Sequence, residues 1–361
     1  MAFLVIFLIL FLGLGAFASS RLAVWIFGAG SACYWFFTSV FSAACIAVVA
    51  CFAFSERLSG QAGYIAQRAS GVFLAFYALL VPLTLTLGLA ASGRLEVPMD
   101  KLALFLIILS AAGTVGGHFR ASDIKTVRYT VSTDKHEGFK AVFLSDMHLG
   151  EIIGGKDMEK IAEAVNEAEP DYIFISGDIF DSGPDVLRQK DRVEKAFRSM
   201  KSRYGVYACL GNHDGGFRGL EDEAQRLLES WGVTVLRDRM VSAGGITIAG
   251  RRDLHEKGRV TASELLEGGG DAFTVVLDHQ PADIYGAAGA GADLLLCGHT
   301  HRGQIFPFSL ITKAVYKSFH YGMKTADGMT AVISSGAGTW GPKVRIGSFC
   351  EIVEITVEKA V

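Results

Sequence analysis

Two patterns of hydrophobic and polar positions divide the chain near residue 118. Before that point the apolar residues form long runs with few charged residues, and from Ile124 onward short apolar runs alternate with amphipathic stretches. A run of about 20 apolar residues predicts a membrane-spanning helix, because only a helix closes its own backbone hydrogen bonds in lipid. Short strands alternating with amphipathic helices predict a layered α/β domain. We therefore predict a transmembrane anchor over residues 1–118 and a second domain over residues 119–361.

The anchor is predicted to cross the membrane about four times. The apolar link from Leu22 to Ala29 and a short last segment leave three or five crossings open. Residues 1–20 also resemble a signal peptide, but no basic residue precedes the apolar run and further apolar segments follow it. The four predicted spans are Ala2 to Ala18, Ala32 to Phe54, Gly71 to Ala91 and Leu102 to Gly117.

Basic residues near the span ends set the expected orientation, because positively charged loops tend to stay in the cytoplasm. In a four-span arrangement, five basic residues share the side of the second domain and three lie on the other side. This excess favours a cytoplasmic second domain, and one span more or fewer would reverse the assignment. The five are Arg57, Arg68, Arg120, Lys125 and Arg128, and the three are Arg21, Arg94 and Lys101.

Ten strands and five helices are predicted for the second domain, with no internal repeat. The strands are Thr126 to Val131, Lys140 to Ser145, Asp171 to Ser176, Val206 to Leu210, Thr234 to Arg237, Ile246 to Ala249, Thr274 to Asp278, Asp293 to Cys297, Met329 to Ser334 and Glu351 to Val357. The helices are Lys156 to Ala168, Asp185 to Arg203, Leu220 to Trp231, Ala262 to Glu267 and Ala282 to Ala288.

Charge and cysteine usage narrow the chemistry. The chain carries 34 basic and 37 acidic residues, of which the first 118 residues contain five and three. The second domain therefore has a net charge of −5, which argues against nucleic acid as a partner. The six cysteines are scattered singly, without the spacing of a thiolate zinc site or a disulfide framework.

Five polar clusters each follow directly on an apolar run. In layered α/β folds the carboxyl ends of strands collect ligands and catalytic groups, because the chain leaves the sheet there through loops. We expect the five clusters to meet at such an edge. They are Ser145-Asp146-Met147-His148, Gly177-Asp178-Ile179-Phe180-Asp181, Gly211-Asn212-His213-Asp214, Asp278-His279-Gln280-Pro281 and Gly298-His299-Thr300-His301.

The side chains in these clusters are typical of a metal site. Carboxylate, imidazole and amide groups without thiolate suit Mn, Fe, Zn, Co or Mg. In Asp146-x-His148 and His299-x-His301, alternate residues of an extended chain point the same way. Asp178 can bridge two ions with its two oxygens, and ions about 3.5 to 4 Å apart can activate a water and clamp phosphoryl oxygens. We expect two divalent ions, with metal-bound hydroxide as the nucleophile.

The order of the blocks resembles a known family. Asp-x-His, Gly-Asp-x-x-Asp, Gly-Asn-His-Asp, His and Gly-His-x-His occur in the calcineurin-like metallophosphoesterases, and all five are present here in that order. The resemblance implies a β-sandwich of two sheets flanked by helices, and a metal-dependent phosphoric ester hydrolase. It also implies that one ion is held by Asp146, His148, Asp178 and His301, and the other by Asp178, Asn212, His279 and His299.

His213 and Asp181 are the catalytic candidates. The resemblance implies that His213 contacts the substrate phosphate and protonates the leaving oxygen, while Asp181 orients its imidazole. A carboxylate raises the pKa of a neighbouring histidine, which can then act as an acid near neutral pH. A loop or helix-capping role is the alternative for Asp181, and Asp214 can either assist His213 or fix the loop.

Two further segments resemble a membrane-associated branch of this family that includes the YkuE and YaeI phosphodiesterases. They are GHTHRGQIFP from Gly298 to Pro307 and GAGTWGP from Gly336 to Pro342. Many relatives have a glycine after the last metal histidine, where this chain has Arg302. Its guanidinium can bind a substrate phosphate or a lipid headgroup, and an ordinary exposed arginine is the alternative.

Together these features predict a membrane-anchored, dimetal-dependent phosphoesterase. We expect it to hydrolyse a phosphomonoester, phosphodiester or pyrophosphate bond of a lipid or lipid-linked substrate, with Mn supporting activity in vitro. The expected location is the bacterial inner (plasma) membrane, as an integral multi-pass protein. A UDP-diacylglucosamine pyrophosphate hydrolase of lipid A synthesis is a specific alternative, and a non-catalytic membrane scaffold on the same fold is an alternative of a different class.

Overall fold

The computed structural model describes residues 2–54, 60–88, 90, 97–215 and 219–360. Its internal contacts divide the chain into two compact units. One unit comprises Met1–Phe119 and Gly341–Ile346, and the other comprises Arg120–Trp340 and Gly347–Val361. The chain therefore leaves the second unit once, contributes six residues to the first, and returns to complete the second.

Four long helices form the first unit: α1 (Ala2–Phe27), α2 (Ala32–Ala53), α3 (Gly60–Leu83) and α4 (Met99–Ala121). Each is long and apolar enough to cross a membrane, over Leu8–Phe27, Ala32–Cys51, Gln61–Gly88 and Met99–Ala121. The prediction of four apolar spans is thus confirmed. Arg57 and Arg94, which entered the predicted orientation, lie outside the described residues.

Three of the span boundaries differ from those predicted. Helix α1 continues to Phe27, so the apolar link extends the first span, and α3 begins at Gly60, eleven residues before the predicted start. The prediction began that span too late because it required an uncharged segment, whereas a helix tolerates Arg68 near its end. Helix α4 continues past Gly117, where an added Cβ would lie 2.7 Å from Val344 of the same unit. This glycine allows residues 341–346 to pack closely on α4.

Twelve strands form the second unit: β1 (Ile124–Thr133), β2 (Gly138–Leu144), β3 (Tyr172–Ser176), β4 (Val206–Cys209), β5 (Val233–Val235), β6 (Arg239–Ala243), β7 (Ile246–Gly250), β8 (Thr274–Leu277), β9 (Leu294–Cys297), β10 (Gly322–Ala326), β11 (Met329–Ile333) and β12 (Cys350–Lys359). They make two six-stranded sheets, ordered β1-β12-β2-β3-β4-β5 and β10-β11-β9-β8-β7-β6. Strands β2 to β5 run parallel in the first sheet, and β7, β8, β9 and β11 run parallel in the second.

The core of the second unit has three layers of apolar contacts. Side chains such as Phe143 and Phe174 of the first sheet pack against Val275 and Leu296 of the second. Outside the first sheet lie α5 (Gly155–Glu167), α6 (Lys190–Ser199) and α7 (Glu221–Ser230), and outside the second lie α8 (Ala262–Leu266) and α9 (Ile284–Gly289). The predicted two-sheet α/β domain flanked by helices is confirmed.

Three elements of the second unit were not predicted. Strands β6 and β10 are the outer strands of the second sheet, each paired antiparallel to its neighbour. Most of their residues are exposed or half-buried, so they lack the apolar run that marks a strand. The third element is helix α10 (Phe308–Tyr316), which has no buried residue.

Candidate metal centre

The first sheet brings three of the predicted clusters together at the carboxyl ends of its strands. Asp146 follows β2, Asp178 follows β3 and Asn212 follows β4. Backbone hydrogen bonds join the first two turns, because the Asp146 amide donates to the Gly177 carbonyl at 3.0 Å and the His148 amide donates to the Asp178 carbonyl at 2.9 Å. The turns are therefore held in fixed register.

The second sheet contributes the remaining clusters in the same way. His279 follows β8, and His299 and His301 follow β9. The Gly298 amide donates to the His279 carbonyl at 2.9 Å. Across to the first sheet, His279 Nδ1 lies 2.9 Å from the Ser176 carbonyl and the His299 amide donates to Asp146 Oδ1 at 2.8 Å. The two strand-end edges thus meet.

Five of the clustered residues have a left-handed backbone conformation. The φ angles are 49° for Asp146, 47° for His148, 49° for Asp178, 68° for His299 and 48° for His301. Residues other than glycine rarely adopt this conformation, which costs roughly 1–3 kcal/mol each and persists only where the surroundings impose it. Such strain concentrates at functional sites, and here it turns all five side chains toward one place.

Two glycines are required by the closeness of the carboxylates. A Cβ on Gly211 would lie 2.3 Å from Asp178 Oδ1, and one on Gly298 would lie 2.2 Å from Asp146 Oδ2. Neither neighbour can withdraw without leaving the centre. The glycines of the Gly-Asn-His-Asp and Gly-His-x-His blocks are therefore part of the construction of the site.

Two of the three groups that the clustered side chains form have a neighbour in common. Asp146, His148 and His301 make one group, and Asp178, His279 and His299 make the other, each with ligand atoms within 4.8 Å of one another. Asp178 Oδ2 lies 3.0 Å from His279 Nε2 and 3.7 Å from His148 Nε2, so this carboxylate reaches both groups.

Asn212 belongs with the second group. Its Oδ1 lies 3.0 Å from His299 Nδ1 and 3.2 Å from His279 Nε2. Amide oxygen and imidazole nitrogen therefore converge on one point beside Asp178.

The residues fit divalent cations. In the first group the Nε2 atoms of His148 and His301 face each other at 3.0 Å, and both rings are buried. Two neutral imidazoles in this position share one proton at most, and their lone pairs otherwise converge in a buried space. Buried carboxylate, imidazole and amide groups directed at one point are the donor set of Mn, Fe, Zn, Co or Mg sites.

The electrostatics of the second group point the same way. Burial tends to raise the pKa of Asp178, but the adjacent His279 and His148 hold that pKa below its ordinary value. Burial and His279 together lower the pKa of His299 to about 4. Asp178 raises the pKa of His279 in spite of its burial, which favours a proton on that imidazole. A bound cation would replace that proton.

His213 and Asp181 contact each other differently from the prediction. His213 Nδ1 lies 2.8 Å from the main-chain carbonyl of Asp181, whereas the Asp181 carboxylate lies 3.4 Å from His148 Nδ1. The His213 amide also donates to Asp178 Oδ1 at 2.8 Å. The imidazole is therefore oriented by the backbone of Asp181, and the carboxylate of Asp181 lies against the first group.

Arg302 follows His301 and stacks on aromatic rings. Its guanidinium carbon lies 4.4 Å from the ring centre of Tyr321 and 5.7 Å from that of Phe349. These cation–π contacts account for its position beside the His301 turn. Its predicted contact with substrate stays a prediction.

Asp214 fixes the loops of the first sheet. This buried carboxylate accepts hydrogen bonds from the Phe180 amide and the Gly211 amide, both at 2.7 Å. Burial and the nearby Asp178 raise its pKa to about 7. Of the two roles considered for Asp214, the contacts support fixing the loop.

The GAGTWGP segment that begins at Gly336 borders the group of Asp146, His148 and His301. The Ala337 and Gly338 amides donate to the Ser145 and Asp146 carbonyls at 2.9 and 3.0 Å. A Cβ on Gly338 would lie 2.0 Å from the Met147 carbonyl oxygen, so only glycine allows this approach. The ring centre of Trp340 lies 6.0 Å from that of His213, so the indole lies beside the imidazole of the catalytic candidate.

Two arginines anchor the turn that carries His279. The buried Arg251 donates to Asp278 at 3.2 Å and to Asp283 at 2.8 Å, and Arg259 donates to both oxygens of Asp278 at 3.0 and 2.6 Å. Asp278 directly precedes His279. This role of Asp278 and its arginines was not predicted, because nothing in the local sequence pattern pairs residues so far apart.

A further Asp-x-His pair, Asp253-x-His255, follows β7, the strand beside β8. Asp253 accepts hydrogen bonds from the His255 amide at 3.0 Å and from Gln280 Nε2 at 2.8 Å, and His255 Nδ1 lies 3.1 Å from the same carboxylate. The His255 ring is exposed. This pair was not among the predicted site residues, although its spacing after a strand matches that of Asp146-x-His148.

Comparison with known proteins places these residues in a family. A family model described as calcineurin-like phosphoesterase matches residues 139–303, which include every clustered residue above. An uncharacterized metallophosphoesterase of Campylobacter jejuni is 31% identical over 269 residues, covering 73% of this chain and 69% of the relative. The uncharacterized metallophosphoesterase YkuE of Bacillus subtilis is 27% identical over 273 residues, covering 71% of this chain and 95% of the relative.

A vertebrate relative carries membrane segments by its description. The transmembrane protein with metallophosphoesterase domain of Danio rerio is 29% identical over 277 residues, covering 71% of this chain and 62% of the relative. Together with the four apolar helices, this similarity indicates a membrane protein. The resemblance drawn from the motifs is confirmed, and the chain belongs to the calcineurin-like phosphoesterase family as a metal-dependent phosphoesterase.

Proposed function

We propose that the protein hydrolyses a phosphoester or pyrophosphate bond in a lipid or lipid-linked substrate. The observation that carries the proposal is the pair of Asp/His groups sharing Asp178, at the meeting edge of two sheets. Paired cation sites of this kind are the general solution for in-line displacement at phosphorus.

The proposed ligands divide between two ions. When bound, the ions would lower the pKa of a water molecule and neutralise charge on the phosphoryl oxygens. The chain's own contribution is to hold seven side chains around the centre, of which Asp146, His148, Asp178, His279 and His301 are buried. One ion would be held by Asp146, His148, Asp178 and His301, and the other by Asp178, Asn212, His279 and His299.

His213 is the proposed general acid. The Nδ1–H of His213 donates to the Asp181 carbonyl at 2.8 Å, so Nε2 is the nitrogen that can act on a substrate. A protonated Nε2 can donate its proton to the leaving oxygen of the substrate. Asp181 acts on this group through its backbone, as a positioning residue.

The membrane helices favour a substrate that resides in the bilayer. An enzyme tied to the membrane meets lipid headgroups at a far higher local concentration than it meets soluble esters. We infer a phosphorylated lipid or lipid-linked molecule as the substrate, Mn as an effective metal in vitro, and the bacterial inner membrane as the location.

The catalytic domain is proposed to face the cytoplasm. In the four-span arrangement, the described residues Arg68, Arg120, Lys125 and Arg128 would share the side of this domain, against Arg21 and Lys101 on the other. The positive-inside rule assigns the more basic side to the cytoplasm. The exposed Cys33 near the start of α2 provides an internal control. In intact spheroplasts an impermeant maleimide should label Cys33 but not a Glu163→Cys variant thiol on α5. Labelling of residue 163 without permeabilisation would reverse the orientation.

A substrate comparison in detergent tests the function. The purified full chain with Mn²⁺ should hydrolyse bis-p-nitrophenyl phosphate, and it should act faster on either phosphatidyl lipids or UDP-linked glycolipids. An Asp178→Asn variant serves as the matched control, since it keeps the shape of the side chain and removes its charge. Activity toward no phosphoester, or equal activity of the Asp178→Asn variant, would contradict the proposal.

A further inference from the structure

Helix α10 has its two faces reversed relative to an ordinary surface helix. Ser309, Thr312 and Tyr316 share the half-buried face, whereas Phe308, Ile311 and Val315 share the exposed one. A helix on a soluble domain places its apolar side chains against the core and its polar ones in water. Here the polar face packs inward and the apolar face points out.

The exposed apolar surface extends beyond α10. The side chains of Phe306, Phe308, Leu310, Ile311 and Val315 are between 47% and 63% exposed. Single exposed apolar residues are normal on protein surfaces, but a contiguous group of this size marks a contact site. Five large apolar residues within ten positions form such a group.

The charges of the segment match an anionic surface. Between Arg302 and Ala326 the chain contains no acidic residue, and it carries exposed lysines at Lys313, Lys317 and Lys324. A short amphipathic helix with apolar residues outward and lysines along its edge is typical of a segment lying in the headgroup region of a bilayer. A protein partner with both acidic and basic surface residues would not favour a segment that lacks acidic residues.

Chain connectivity keeps this domain at the membrane surface. Only Ser122 and Asp123 separate the end of α4 from the start of β1. Two residues span about 7 Å at most, so a bilayer crossed by α4 would lie within reach of the domain. A lipid surface that could cover the exposed face of α10 is thus available to every copy of the protein.

Both ends of the segment are tied to the metal centre. Arg302 directly follows His301, and at the other end Thr300 Oγ1 donates to the His320 carbonyl at 2.8 Å. Between them, the ring of Tyr316 lies 6.1 Å from that of His299. Residues 302–320 therefore form one segment that leaves the Gly-His-x-His turn and returns to it.

We propose that the exposed face of α10 inserts into the headgroup and upper acyl region of the lipid bilayer that the chain spans. Insertion would hold the His299 and His301 turn at the level of the headgroups and orient the mouth of the centre toward membrane lipids. The proposal rests on the proposed function for its purpose, but the contact itself can be measured without any activity.

Spin-label accessibility tests the contact in the full chain. The protein would carry a nitroxide at Ile311→Cys, in a Cys33→Ser background, and be reconstituted in vesicles of phosphatidylethanolamine and phosphatidylglycerol. The matched control is a nitroxide at Glu163→Cys on the exposed side of α5. A residue buried in the acyl boundary collides readily with oxygen and poorly with a water-soluble nickel chelate, so we expect roughly a tenfold lower nickel collision rate at 311 than at 163.

Two results would overturn the proposal. Equal nickel accessibility at 311 and 163 would mean that the face is in water. Protection of residue 311 from both oxygen and nickel, with spin–spin broadening, would mean that a second copy covers it. Hydrolysis of bis-p-nitrophenyl phosphate by the same samples reports separately on the proposed function, so failure of one can be told from failure of the other.

Discussion

The two sheets of the phosphoesterase domain bring different chemistry to one centre. The first sheet supplies both carboxylates and the amide, with one imidazole, and the second sheet supplies imidazoles alone. The two groups proposed to hold ions nevertheless combine both sheets, since His301 joins Asp146 and His148, while His279 and His299 join Asp178. Neither sheet supplies all the members of either group. The site therefore depends on the apolar layer that holds the sheets together.

The sheets also hold their turns by different means. On the first sheet, the buried Asp214 accepts two main-chain hydrogen bonds and glycines allow close approach. On the second, two arginines neutralise the buried Asp278 beside His279. One turn region is thus fixed by backbone contacts and the other by buried ion pairs. The difference can be tested by removing members of each.

The largest expected effect comes from removing one ligand from either sheet. Asp146→Ala on the first sheet and His299→Ala on the second should each lower kcat toward bis-p-nitrophenyl phosphate by at least about a thousandfold, because each group needs both sheets. Steady-state kinetics at saturating Mn²⁺ would measure this. Near-normal activity in one of the two variants would show that a single sheet suffices.

Replacing His213 should separate chemistry from metal binding. His213→Asn removes the proposed acid and keeps a polar group of similar reach, so kcat should fall by about 10²- to 10⁴-fold while the metal content stays unchanged. Kinetics and metal analysis of the same preparation are needed. Loss of an ion from this variant would mean that His213 is a ligand instead.

The ion pairs of Asp278 and the main-chain hydrogen bonds of Asp214 should contribute differently to the free energy of unfolding. Arg259→Met leaves Asp278 with less compensation in a buried position and should lower the free energy of unfolding by about 3–5 kcal/mol. Asp214→Asn keeps one acceptor and sets an amide N–H against the Gly211 amide, which should cost about 1–3 kcal/mol. Denaturant titration of both variants would measure the order, and a larger loss for Asp214→Asn would reverse the comparison.

The smallest effect is expected at the Asp253-x-His255 pair. His255 is exposed at the end of β7, beside the strand that carries His279, where an imidazole can contact substrate without binding metal. His255→Asn should raise KM about threefold and leave kcat unchanged, since it removes binding that is equal in ground and transition states. A fall in kcat with loss of metal would place His255 inside the centre.

The sequence predicted which of these residues lie close together, because their positions follow a rule of the fold. Each cluster comes after a buried apolar strand, and parallel strands end at one edge, so Asp146, Asp178 and Asn212 could be placed together without coordinates. The contact between His213 and Asp181 was expected at the carboxylate and is made by the backbone carbonyl. Such details depend on loop geometry that no local pattern records.

Elements whose burial departs from the usual pattern were the ones missed. The edge strands β6 and β10 have too few buried residues to form an apolar run, and α10 carries its apolar residues outward. The grouping of residues 341–346 with the membrane helices was equally hidden, because it depends on contacts with α3 and α4 rather than on composition. Burial that is set by distant neighbours cannot be derived from local periodicity.

Metal analysis of the full chain and of an Asp178→Ala variant tests the central claim most directly. Asp178 is the carboxylate that reaches both groups, so the wild-type protein should contain close to two divalent ions per chain, and the variant should lose bound metal together with its phosphoesterase activity. A wild-type protein with a single ion, or an Asp178→Ala variant that keeps two ions and full activity, would contradict the account.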